Sequence, residues 1–179
     1  MTEPPSGTIQ ARFWDTTDPT LLAGVGRVSI KWSFLEAVVE DCIAGFIGAN
    51  VELVYTLTAN ISITTRLNAI QAVAQLRLTD DDFEYFVGII QGIQKLVPFR
   101  NKVIHGLWAE TNQIGIAQVV AIKSSHRLKQ QLEYVNALYL DWLANEIMRT
   151  STSLMQFAQD FGVIVPPSKP SLSSANSGS

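Results

Sequence analysis

The sequence predicts a mainly α-helical protein: a four-to-five-helix up-down bundle with a small β-hairpin inserted between the third and last long helices. Three observations lead there. Apolar residues recur at steps of three and four along both the first and the last long segments. Helix-start signals stand at Asp18-Pro19 and at Thr79, which precedes three aspartates. Between residues 107 and 122 the helical spacing gives way to short β-like runs.

Residues 1–18 are rich in Pro, Thr and Gly and read as an extended arm, with Phe13 and Trp14 docking on the body. The first helix is expected from Pro19 to Gly48, with Asp18 as its N-cap. Its seam is Leu21, Val25, Val28, Trp32, Leu35, Val39, Cys42 and Phe46, one face of a bundle. Ile30, Phe34 and Val38 form a second strip that another subunit could cover. A second helix is expected over Ser62–Leu78, with Ile63, Leu67, Ile70 and Ala74 inward. The third starts in the acidic run Asp80-Asp81-Asp82 and is interrupted at Pro98. Beyond it, residues 100–105 are either a kinked extension or a short new helix, stopped by Gly106. A hairpin follows, Leu107–Glu110 with Ile116–Ile122, joined through Thr111-Asn112-Gln113. The last helix is expected from Lys129 to Asp160, and residues 163–179, rich in Ser and Pro, as a disordered tail.

At 179 residues the chain is sized for one domain, here residues 19–162. With 47% hydrophobic and 16% charged residues it has more apolar surface than a small core needs, so a partner chain is expected to share some. A net charge of −3 opposes general nucleic-acid binding, and any RNA site has to be a local basic pocket. The single Cys42 forms no intrachain disulfide and reads as core. No basic-then-apolar leader pattern occupies the first ten residues, and the apolar runs are short. A cytoplasmic protein without membrane contact is expected.

The chemistry concentrates in Arg100-Asn101-Lys102-Val103-Ile104-His105-Gly106-Leu107-Trp108. An arginine can hold a phosphate in two-point contact. A histidine can move a proton near neutral pH. On a regular helix residues five apart differ by about 140° in direction, so Arg100 and His105 do not project side by side. Asn101 and His105 share a face. Either the long arginine swings across, or two copies of the segment meet at a symmetry axis. The plain alternative is a structural arginine beside a histidine that caps the helix.

An arginine followed by a polar residue, three more residues and a histidine, on the third helix of a bundle, resembles the HEPN (higher eukaryotes and prokaryotes nucleotide-binding) superfamily. Arg100, Asn101 and His105 match the Arg-x4-6-His motif with its polar second position, and Gly106-Leu107-Trp108 resembles uncharacterised bacterial members. The resemblance, over residues 19–162, implies a metal-independent endoribonuclease of toxin, phage-defence or RNA-processing type. It also implies a homodimer with facing motifs and no cofactor, with Arg100, His105 and Asn101 catalytic. Other members are inactive modules that bind a nucleotide or a protein, and some toxins are held by an antitoxin. Where one toxin branch carries a tyrosine modified by its antitoxin, this chain has Leu107.

Three supporting residues are weaker candidates. Glu36 lies one turn before Glu40; both fit a solvated helix face, or Glu36 orients Arg100 or His105. Arg66 is a surface arginine or an RNA phosphate contact. Trp108 packs the hairpin over the motif or stacks on a base. Trp32 and Trp142 are expected in the core, Lys102 in solvent, and His126 in a basic linker that is exposed or touches phosphate. Two isolated histidines without a cysteine pair give no metal-site pattern.

Overall fold

The computed structural model describes residues 18–111, 115–125 and 127–164, with the side chains of residue 110, residues 121–125 and residues 127–132 left aside. Phe13, Trp14, Asn112, Gln113 and His126 lie outside the described residues, as does the tail from residue 165. Five helices and three strands follow in order: α1 (Pro19–Ile47), α2 (Val51–Thr58), α3 (Ile63–Gln75), α4 (Asp80–His105), β1 (Leu107–Glu110), β2 (Ile116–Ser125), β3 (Arg127–Asn136) and α5 (Ala137–Asp160). The protein is a mainly α bundle with a small antiparallel sheet between α4 and α5, as the sequence predicts.

The ends of α1 obey local chemistry. Asp18 Oδ1 accepts from the amides of Thr20 and Leu21, and Gly48 closes the helix in the left-handed conformation at φ 67°. Leu21, Val28, Trp32, Leu35, Val39, Cys42 and Phe46 are all buried, and Val38 joins them.

The short helix α2 has no counterpart in the sequence reading. Its eight residues are too few to show a period, and Val, Tyr and Thr are weak helix formers. Its start signal was nonetheless present: Asn50 Oδ1 accepts from the Glu52 amide at 2.7 Å. This helix sets the parity of the bundle. It runs back along α1, since Tyr55 meets Asp41 and Thr58 meets Glu40. The next helix, α3, begins level with Glu40, where Arg66 is bonded. Antiparallel packing of α4 on α1 follows from Phe86 against Phe46 and Arg100 over Trp32. Likewise α5 is antiparallel to α4, with Tyr85 near Phe157 and Phe99 near Trp142. First and last helices are therefore parallel neighbours, bridged by Arg27 to Asp141 and Lys31 to Asn145.

Several local expectations are corrected. Pro98 does not break α4, which continues to His105. It sits on the exposed side, where water can take the carbonyl it leaves unpaired one turn back. Gly106 ends α4 as expected, in extended backbone (φ −69°, ψ 153°). Glycine is needed there for room, because a Cβ would collide with the Lys102 carbonyl and Val119 Cγ1.

The hairpin is a three-stranded sheet in the order β1-β2-β3, with Leu107 opposite Val120 and Ala117 opposite Val135. Residues 129–136, expected as the start of the last helix, lie instead in β3. Leu128, Leu132 and Val135 fit a helical period, but pairing along all of β2 satisfies the backbone instead. The last helix starts at Ala137, after the N-cap Asn136, whose Oδ1 accepts from the Tyr139 amide at 2.9 Å. Finally, α3 ends at Gln75 rather than Leu78, and Val163 and Ile164, counted with the tail, pack on the core.

Candidate functional site

The last turns of α4 and the middle of α1 bring the site together. Arg100 Nη1 lies 2.9 Å from His105 Nε2 and 3.1 Å from Asn101 Oδ1. The arginine thus swings across the helical angle within one chain. A guanidinium has only donors, so His105 Nε2 is the acceptor and the ring proton sits on Nδ1. His105 and Asn101 are exposed and Arg100 is half-buried. Among the described residues Arg100 joins no ion pair. Its Nε is buried without a hydrogen-bond partner. Among the described residues the Arg100 side chain bonds to Asn101 and His105.

Beneath the motif lies Trp32. The Arg100 guanidinium carbon is 5.3 Å from the centroid of its ring. Trp32 Nε1 donates to Glu36 Oε1 at 2.9 Å. Glu36 reaches the motif through this indole, not by a direct bond to Arg100 or His105. The sequence placed Trp32 correctly in the core but gave no sign that its face meets the arginine, since that contact joins residues 68 positions apart. The spacing of four between Trp32 and Glu36 was the one legible hint.

The other candidates are placed as follows. Trp108 is half-buried against the core, and its Nε1 donates to the Val103 carbonyl at 2.9 Å. Arg66 is not on the surface: Nη1 bonds Glu40 Oε1 at 2.7 Å and Nε bonds the Ile61 carbonyl at 3.0 Å. Glu40 is correspondingly buried and also accepts from Thr58 Oγ1, so it does not belong to a solvated face. This pair ties α1, α2 and α3 together and, among the described residues, shares no hydrogen bond with Arg100. Lys102 is mostly buried, paired with Glu133 of β3 and set over the Phe99 ring, because the sheet folds back on the end of α4. Trp142 is 46% exposed, although it stacks edge-on with Phe99.

A groove of about 300 Å³ runs from beside the motif along α1, between Leu22, Val25 and Ser29 on one side and Val103, Ile104 and Trp108 on the other. A second cavity, of about 590 Å³, lies near the start of α4 against α5, lined by Tyr85, Gly88 and Arg149 among others. It shares no residue with the motif. Among the described residues no three His, Cys, Asp or Glu side chains converge to hold a metal ion, and no helix is long and apolar enough to cross a membrane.

No family model, curated protein or solved structure matches the chain.

Proposed function

We propose that this chain is a HEPN-like, metal-independent endoribonuclease acting as a homodimer. One observation carries the reading: an exposed histidine contacts an arginine whose charge no carboxylate among the described residues neutralises. A phosphate arriving from solvent competes for that guanidinium, because it offers the planar fork two anionic oxygens where the imidazole offers one neutral nitrogen. Moving Arg100 onto the phosphate uncovers His105 Nε2.

The freed nitrogen takes the proton of the ribose 2′-hydroxyl, whose oxygen attacks the adjacent phosphorus. The 5′-oxygen leaves, and the products are a 2′,3′-cyclic phosphate and a 5′-hydroxyl. Arg100 and Asn101 steady the charge that builds on the phosphoryl oxygens. The leaving oxygen needs a proton, and facing motifs in a dimer provide a second histidine to give it. Exposed Leu22, Ile30 and Phe34 on α1 form an apolar row suited to a second copy.

The test is RNA cleavage in chelator by the wild type and by His105→Ala. The account expects cleavage by the first, none by the second, and the same helical content in both. Undiminished cleavage by His105→Ala would remove the mechanism. One observation favours a second reading, a catalytically silent module that binds a nucleotide or protein: Nε2 is covered by Arg100. That reading predicts phosphate binding without any cleavage.

A further inference from the structure

An arginine that meets a phosphate has two opposed needs. It has to be held, since a free side chain gives up rotamer entropy when it is fixed. It also has to keep its charge available. A carboxylate partner satisfies the first need and defeats the second.

Arg100 is held in another way. Its guanidinium lies over the Trp32 indole at 5.3 Å from the ring centroid, within cation–π range. The ring itself is fixed: Trp32 is 1% exposed, and its N–H edge is bonded to Glu36 one turn along α1. A carboxylate at that edge leaves the π face richer in electrons, which favours a cation above it. An aromatic face attracts a cation without accepting its in-plane N–H bonds, so those donors stay directed at a ligand. The pattern around Arg100 matches this: neutral partners at Nη1, no ion pair among the described residues, and a buried Nε with no partner.

We infer that Trp32 is the positioning residue for Arg100, holding its guanidinium ready for a phosphate-class oxyanion without neutralising its charge. The inference rests on the phosphate-binding role given to Arg100 above. A tryptophan that merely fills the core would be replaceable by another apolar residue at a cost in stability alone.

Inorganic phosphate, titrated at fixed ionic strength into the wild type, Trp32→Phe and Trp32→Leu, separates the two. The probe is the Arg100 Nε–H resonance, recognised by its absence in Arg100→Lys, and circular dichroism checks that each variant is folded. In the wild type that resonance should lie upfield, from the indole ring current, and move as phosphate binds. Affinity should fall about threefold in Trp32→Phe, which keeps a weaker π face, and about tenfold in Trp32→Leu. Equal affinities in the three proteins overturn the positioning role and leave the phosphate role standing. A wild-type resonance that phosphate does not move overturns the phosphate role and this inference with it. If Trp32→Leu does not fold, Trp32→Phe decides, and undiminished affinity there counts against the inference. RNA enters nowhere, so a failure to cleave RNA does not bear on the outcome.

Discussion

Replacing Arg66 by alanine should cost this protein a large share of its stability. The side chains of Arg66 and Glu40 are only 11% and 8% exposed, and their charged atoms lie 2.7 Å apart. Arg66 also bonds the Ile61 carbonyl, and Glu40 accepts from Thr58. Removing the arginine strands a buried carboxylate, at a cost of about 3–5 kcal/mol. For a domain whose total stability is of order 5–15 kcal/mol, that is a third or more in the middle of the range. With a urea slope of about 2 kcal/mol/M, the unfolding midpoint should fall by roughly 2 M.

The pair as a whole contributes much less than this. Changing both residues to apolar ones of similar volume, Arg66→Met with Glu40→Leu, should return most of the loss, because neither charge is then desolvated. The assay is urea unfolding of wild type, single and double variants followed by circular dichroism. A single variant that loses under about 1 kcal/mol would refute the reasoning, since that is the worth of an exposed pair. The double variant should also keep its affinity for phosphate, because Arg66 is committed to the fold.

Other expectations follow from the same geometry. His105 is exposed, so His105→Ala should change stability by no more than about 0.5 kcal/mol while removing at least a hundredfold in any cleavage rate. Gly106→Ala forces a Cβ against the Lys102 carbonyl and Val119, and should lower stability by about 1–3 kcal/mol in the same urea assay. Burial, and then the nearby Asp41, push the Cys42 thiol from 9.0 up to about 12. It should therefore resist iodoacetamide at pH 8 until urea unfolds the chain. A thiol raised in the folded state contributes stability that is complete below pH 9 and lost as pH climbs towards 12. The fall in urea midpoint between pH 8 and pH 10.5 should accordingly be smaller in Cys42→Ala than in the wild type.

The helices were legible where length let a period show and a cap marked the start. Asp18 and Thr79 announced α1 and α4, and the seam of α1, except for the partly buried Val25, is buried as its spacing requires. Short or ambiguous segments were not legible. Eight residues of α2 carry too little pattern, yet they decide that the first and last helices run parallel. In β3, Leu128, Leu132 and Val135 satisfy a helix period, and only pairing with β2 makes the segment a strand. The Arg100–His105 motif was legible because it is local. Its support was not: Trp32 meets Arg100, and Arg66 meets Glu40, through tertiary packing between distant parts of the chain. Charges that looked solvated from the sequence, Glu40 and Lys102, were buried by the same packing.

The central claim, that Arg100 and His105 cut RNA through its 2′-hydroxyl, is tested most directly with an oligonucleotide that is DNA except for one ribonucleotide. The wild type in chelator should cut it only on the 3′ side of that ribose, leaving a 2′,3′-cyclic phosphate and a 5′-hydroxyl. Cleavage at a deoxyribose, or a ribose product bearing a 3′-hydroxyl and a 5′-phosphate, would contradict the account.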